Sequence, residues 1–148
     1  MTTPTTPTSN QYPTIRDWHR SLIGGTGMIL RRTSAMEHLQ YFAGYWHGRN
    51  IDVYARERGQ YENINYHVVD CFEGIDFVRM GNVLCTSFSQ TVNDMLADLD
   101  IIDEQPLVEG LARFYYSNGK SFDGLYIRPE NMERFNSVRD WAVEYFND

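Results

Sequence analysis

The feature that most constrains the fold is a change in hydrophobic periodicity along the chain. Residues 51–88 alternate apolar and polar side chains, which is the pattern of strands that bury one face of a sheet. On both sides of this stretch the apolar residues recur every three or four positions, as they do along an amphipathic helix. Strands that are grouped together and flanked by helices, without regular alternation of the two, predict an α+β protein.

Four segments of the central stretch have the composition of strands: IDVYARE, INYHVVDC, IDFVRM and NVLCTSF. Gly59, Gly74 and Gly81 mark the turns between them. A further hairpin is expected at residues 117–120, between LVEGLARFYY and SFDGLYIR, because Asn-Gly readily adopts the positive φ of a tight turn. Since the links are too short for parallel crossovers, the sequence predicts an antiparallel meander of about five to six strands.

Helices are predicted over residues 15–23, 34–47, 89–99 and 130–146. Ser34 and Glu37 match a capping box at the start of the second of these, and Ser89 is a candidate N-cap for the third. Pro129 suits the first turn of the long C-terminal helix. We expect the sheet to pack against the helices at 34–47, 89–99 and 130–146.

The chain of 148 residues has the size of one ordinary domain, which we assign to residues 15–148. Residues 1–14, MTTPTTPTSNQYPT, are rich in Thr and Pro, carry no charged side chain and predict an extended arm that a partner could hold. No apolar run reaches the ~18–20 residues that a membrane span needs, and the N-terminus lacks a signal-peptide pattern. These features predict a location in the cytoplasm or inside a particle.

Negative charge is concentrated in the second half of the chain. Residues 1–74 are neutral overall, and the formal net charge of −7 arises entirely from residues 75–148. Between Arg79 and Arg113 there is no basic residue, and this interval contains six carboxylates: Asp94, Asp98, Asp100, Asp103, Glu104 and Glu109. Such a segment repels nucleic acid and attracts basic protein surfaces. Direct nucleic-acid binding is therefore disfavoured.

The motifs of catalysis and metal binding are incomplete. The glycine-rich segment 24–27 (GGTG) lacks the Lys and the preceding strand of a phosphate-binding loop. The acidic run from Asp98 lacks the Gly that a calcium loop requires at its sixth position. Cys71 and Cys85 show no metal-ligand spacing and no disulfide framework. The sequence therefore predicts no cofactor, no metal site and no catalytic residues, which favours a non-catalytic protein without excluding an enzyme.

Two functional hypotheses remain. The first is a non-catalytic interaction protein, such as an inhibitor, an accessory subunit or a structural component, whose acidic segment 94–109 meets a basic partner surface. The alternative is a small-molecule-binding protein or small enzyme, with an aromatic pocket between the sheet and the C-terminal helix. The residues that would line this pocket are Tyr54, Tyr66, His67, Tyr115 and Tyr126.

Overall fold

The structure is a computed structural model that describes residues 7–147. Its helices are α1 (Ile15–Ile23), α2 (Arg32–His38), α3 (Phe88–Ala97), α4 (Gln105–Ser117) and α5 (Met132–Glu144), with short 3-10 turns at Ser9–Gln11 and Pro129–Asn131. Its strands are β1 (Ile29–Leu30), β2 (Ile51–Ala55), β3 (Ile64–Val68), β4 (Phe77–Met80) and β5 (Val83–Thr86). The predicted α+β class is confirmed.

The five strands form one mixed sheet in the order β3-β2-β1-β5-β4. β1 pairs antiparallel with β2 and parallel with β5, while β2 and β3 are parallel and β4 and β5 antiparallel. The expected antiparallel meander is therefore wrong. The link 56–63 between β2 and β3 can extend about 26 Å, longer than the ~17 Å of a five-residue strand, so the chain can return to the same end of the sheet without a helix.

The hairpin expected at residues 117–120 is also wrong, because LVEGLARFYY belongs to α4. Leu107, Val108, Leu111 and Ala112 recur at helical spacing and are buried together. Asn118-Gly119 follows the end of the helix, where Gly119 has a φ of 66°. The 3.6-residue period outweighed the strand propensity of the aromatic and β-branched residues in this segment.

Three of the other predicted helices are confirmed with small shifts of their ends. α1 spans the predicted residues 15–23, and the Thr14 side chain accepts a hydrogen bond from the Asp17 N–H at 3.1 Å. α5 forms most of the helix predicted for 130–146. α3 begins one residue before the predicted range of 89–99, and its N-cap is Ser87 rather than Ser89.

The helix predicted for residues 34–47 is much shorter, since α2 ends at His38. The capping box is not formed. The Ser34 hydroxyl accepts a hydrogen bond from the N–H of Asp52 at 2.9 Å, and the Glu37 carboxylate pairs with Arg49 at 2.8 Å. Both side chains therefore form tertiary contacts and do not cap the N-terminus of α2.

The Thr/Pro-rich segment is described from residue 7 onward. Ser9 is buried, and its hydroxyl lies 2.9 Å from Nδ1 of His47. The Asn63 side chain donates to the carbonyl of Pro7 at 2.6 Å. Residues 7–14 thus contact the rest of the fold, while residues 1–6 lie outside the described residues and the division into arm and domain stays a prediction.

Two hydrophobic clusters share α2. Ala35 belongs to the cluster that packs α1 against the sheet, which includes Trp18, Leu22 and Val53. Met36 belongs to the cluster formed with α3, α4 and α5. In the described part of the chain, no helix combines the length and apolar character of a membrane span.

Because α2 joins the two clusters through adjacent residues, truncating Met36 should destabilise the protein strongly. Met36 is fully buried, so Met36→Ala should lower the free energy of unfolding by about 2–5 kcal/mol. Met132, which is 42% exposed, provides the matched control, and Met132→Ala should change stability by less than about 0.5 kcal/mol. Urea denaturation measures both. Equal losses in the two variants would contradict the assignment of Met36 to the core.

Candidate functional site

Asp94, the first residue of the acidic segment, is buried between α3 and the sheet. Its carboxylate accepts hydrogen bonds from the Tyr54 hydroxyl at 2.7 Å and from the Gln90 side chain at 2.9 Å. Burial raises the pKa of Asp94, whereas these two hydrogen bonds act in the opposite direction. Burial likewise raises the pKa of Tyr54 to about 12. Asp94 is therefore part of the core and is not offered to a partner.

Asp98 takes part in an ion-pair cluster at the end of α3. The Arg32 guanidinium donates to Asp98 at 3.2 Å and to Asp52 at 2.7 Å, and Arg31 bonds Asp52 at 3.2 Å. Arg31 also lies 3.7 Å from Asp98 and stands over the Tyr54 ring, 4.6 Å from its centroid. The charge of Asp98 is thus neutralised within the protein.

Glu109 is also used internally. Its Oε2 accepts hydrogen bonds from the Ala43 N–H and from Arg113 Nε, both at 3.2 Å. Its Oε1 accepts from the Tyr145 hydroxyl at 3.1 Å. Glu109 therefore joins α4 to α5 and to the segment after α2.

The three remaining acidic residues lie together in the loop that joins α3 to α4, which we call the 98–104 loop. Asp103 and Glu104 are exposed, and the Asp100 side chain is 83% exposed even though Arg134 lies 3.2 Å from it. An ion pair this exposed is strongly screened by water and leaves the carboxylate available to other cations. Three of the six predicted carboxylates therefore share one surface.

The 98–104 loop also carries an apolar residue that sequence reasoning missed. Ile101 is 78% exposed at its apex, whereas Leu99 and Ile102 on either side are partly buried against the helical core. The sequence did contain a signal for this residue. Ile101 is β-branched, lies within a run of acidic residues, and shares no apolar face with the neighbouring helices. Ile101 is therefore an exposed aliphatic side chain in a loop that also carries three exposed acidic residues.

Hydrogen bonds within the 98–104 loop and at the end of α3 restrict the conformation of this loop. The N–H groups of Ile101 and Ile102 both donate to the carbonyl of Asp98, at 2.9 and 3.2 Å. Arg134 of α5 donates to the carbonyls of Leu96 and Ala97, each at 2.9 Å. The loop therefore presents Ile101 on a preformed support.

The five aromatic and histidine residues proposed for a pocket line no common cavity in the part of the chain that the structure describes. Tyr54 and His67 do meet, with ring centroids 5.3 Å apart. Tyr66 lies on the opposite face of the sheet, where its hydroxyl accepts from the Tyr61 N–H at 3.3 Å. The other two lie elsewhere. Tyr115, which belongs to α4, packs on Phe122, and Tyr126 is exposed in the segment before α5.

A groove lies elsewhere, between the N-terminal half of α1, the segment after α2 and the side of α4. Its volume is about 730 Å³, and it is lined by Thr14, Ile15, Arg16, Asp17, Arg20, Glu37, Gln40, Phe42, Ala43, Gly44, Trp46 and Arg113. Burial raises the pKa of Glu37 to about 7, although the guanidinium of Arg49 acts in the opposite direction.

Two histidines are buried next to this groove. Nδ1 of His19 lies 3.0 Å from Nδ1 of His38, so one imidazole donates to the other. Burial, together with smaller contributions from nearby arginines, lowers the pKa of His19 to about 3 and that of His38 to about 4. Both rings are therefore neutral at pH 7.

The described residues contain no group of three or more His, Cys, Asp or Glu side chains placed to hold a metal ion. Cys71 is exposed, and Cys85 is buried with its pKa raised by burial to about 12. Comparison of the sequence with protein-family models and with curated proteins found no match in either case. The proposals below rest on the geometry of the described residues.

The histidine pair predicts how stability changes with pH. In the unfolded chain both histidines bind a proton near pH 6.5, but in the folded protein they do so only near pH 3 to 4. At these two residues the unfolded state therefore binds more protons over this interval, and their contribution to stability falls as the pH is lowered from 6.5 to 4. Glu37 and Asp94, whose pKa values are raised by burial, act in the opposite direction, so substitution of one histidine is needed to isolate the effect.

Urea denaturation at pH 4.5, 5.5 and 6.5 checks this expectation. His38→Asn removes one of the protons taken up on unfolding. The slope of the free energy of unfolding against pH should therefore decrease by about 1.4 kcal/mol per pH unit. His67→Asn, at an exposed position of β3, is the control and should keep the slope of the unmodified protein. A slope unchanged in His38→Asn would show that this histidine is not held neutral.

Proposed function

We propose that this protein is a non-catalytic interaction protein that docks on a basic protein surface through the 98–104 loop. The observation that carries the proposal is Ile101, an exposed aliphatic side chain in the same loop as the exposed residues Asp100, Asp103 and Glu104. A protein interface of moderate size commonly has an apolar centre and a polar rim. The loop offers both on a small scale.

The two kinds of side chain have different tasks in this proposal. The carboxylates attract a basic partner over a distance and speed up its approach, which makes association sensitive to salt. Ile101 then enters an apolar pocket of the partner and slows dissociation. Because Arg134 and the carbonyl of Asp98 already hold the loop, little conformational entropy is lost on binding.

Only three of the six carboxylates of the acidic segment take part in the proposed docking. Asp94, Asp98 and Glu109 maintain the fold, and their substitution would destabilise the protein whether or not they touch a partner. Asp100, Asp103 and Glu104 are exposed, and their structural contacts are weaker: Asp100 pairs with Arg134 at 3.2 Å, and the Asp103 carboxylate accepts the Gln105 N–H at 3.1 Å. The formal charge of −7 also supports a protein partner over a nucleic acid.

Charge reversal of the loop should slow association with the partner. In the triple variant Asp100→Lys, Asp103→Lys and Glu104→Lys, the association rate at low salt should fall by about tenfold or more, and the difference should shrink as salt is added. The partner is first recovered by capture from native lysate and identified by mass spectrometry. Its association rate with each variant is then measured by surface plasmon resonance.

The matched control reverses three exposed acids of the β3–β4 connection, Asp70→Lys, Glu73→Lys and Asp76→Lys. Both triple variants exchange three negative for three positive charges, so their net charges are equal. The control should associate at nearly the unmodified rate. If both variants slow association equally, overall charge and not the 98–104 loop is responsible, and the docking proposal fails.

The apolar contact can be tested separately. Ile101→Ser should raise the dissociation rate of the same partner by about tenfold or more while the association rate stays nearly constant. Since Ile101 is exposed, the free energy of unfolding should change by less than about 0.5 kcal/mol. Val68→Ser, at another exposed aliphatic side chain, is the control. An unchanged dissociation rate in Ile101→Ser would exclude this residue as an anchor.

A further inference from the structure

The 98–104 loop makes no use of the groove between α1, α2 and α4. We propose that this groove binds a small aromatic anion, meaning a carboxylate or phosphate group attached to a flat ring. Its lining combines three arginines with two aromatic side chains, and its volume of about 730 Å³ falls within the range of small-molecule sites. The site is independent of the docking proposal, since no residue of the 98–104 loop lines it.

Arg16 is the central cation of the groove. Its Nε and Nη2 both donate to the carbonyl of His38, at 2.9 and 2.6 Å, which fixes the guanidinium in place. A carbonyl does not neutralise the positive charge, and no carboxylate within residues 7–147 forms an ion pair with Arg16. Arg16 is therefore oriented by the protein while its charge remains available to an anion.

Two further arginines stand at the exposed side of the groove. Arg20 pairs with Asp17 at 3.1 Å and Arg113 with Glu109 at 3.2 Å, and both guanidinium groups are about half exposed. The side chain of Glu37, the remaining acid of the lining, is bound to Arg49 at 2.8 Å. Each acid thus has its own arginine and Arg16 is in excess, so the groove carries positive charge on a protein that is negative overall.

The aromatic wall of the groove consists of Trp46 and Phe42, which are both packed against other side chains. Trp46 stacks on His47 with centroids 4.1 Å apart and contacts Trp18 at 5.4 Å. Phe42 is buried and lies so close to Gly44 that a Cβ at this glycine would come within 2.5 Å of the Phe42 ring. A side chain at position 44 would therefore displace the ring. A flat apolar group fits such a wall better than a flexible chain does.

Phenyl phosphate is the probe that combines both features. Its binding can be followed by tryptophan fluorescence in a Trp141→Phe background, because Trp46 lines the groove and Trp141 is an exposed residue of α5. We expect saturable binding that weakens as salt is added. Inorganic phosphate, which lacks the ring, and phenol, which lacks the charge, should each bind at least about tenfold more weakly.

Arg20→Gln combined with Arg113→Gln should weaken phenyl phosphate binding by about tenfold or more, because it leaves Arg16 as the sole arginine of the lining beside Asp17 and Glu37 and so makes the groove negative. Arg79→Gln combined with Arg139→Gln removes two exposed arginines that lie outside it and should change affinity less than about twofold. Urea denaturation confirms that both double variants are folded.

Three results would overturn the proposal. One is the lack of saturable binding of phenyl phosphate up to about 10 mM. Another is an equal loss of affinity in the two double variants, which would show unspecific attraction to arginine. The third is equal affinity for phenyl phosphate and either simpler probe, because the groove would then not select an aromatic anion.

Discussion

Much of the structure depends on one pair of neighbouring arginines at the end of the shortest strand. Arg31 and Arg32 hold Asp52 of β2 and Asp98 at the end of α3, which ties the centre of the sheet to the helical half of the protein. β1 has only two residues, so its own ladder is too short to fix its position. Buried charges that lose a partner cost about 3–5 kcal/mol, which makes this arrangement strongly preferred over alternatives. The same ion pairs hold Arg32 in the left-handed backbone conformation, with a φ of 47°.

The acidic segment illustrates how the fold assigns different roles to identical side chains. Asp98 and Asp100 are two positions apart, yet one is bound by two arginines and the other is largely exposed. α3 ends at Ala97, and in the turn that follows the Asp98 side chain meets Arg31 and Arg32 while the Asp100 side chain extends into solvent. Asp98 contributes to the fold in two ways: its carboxylate binds Arg31 and Arg32, and its carbonyl accepts hydrogen bonds from the N–H groups of Ile101 and Ile102.

The candidate sites could be anticipated only in part. The concentration of carboxylates in residues 94–109 is evident in the sequence, but their pairing is not, because Arg31, Arg32 and Arg134 are distant in the chain. The groove gave no sequence signal, since Arg16, Trp46 and Arg113 come from three separate elements. Conversely, the tyrosines of the predicted pocket lie on different surfaces. Alternation along the strands places Tyr66 on the face of the sheet opposite Tyr54, and Tyr115 lies in α4.

Local patterns in the sequence were sufficient for α1, α5 and the strands from β2 to β5, because periodicity and capping act over a few neighbouring residues. Local patterns were insufficient where a residue distant in the chain competed for the same side chain. Ser34 and Glu37 match a capping box, yet Asp52 and Arg49 bind them, and β1 exists only because β2 and β5 lie on either side of it. Strand direction was likewise decided by tertiary packing, since a link of given length permits both orientations and burial selects one. The sequence alone therefore determined the class of fold and most of its elements, while the tertiary structure decided how they pair and which charges remain exposed.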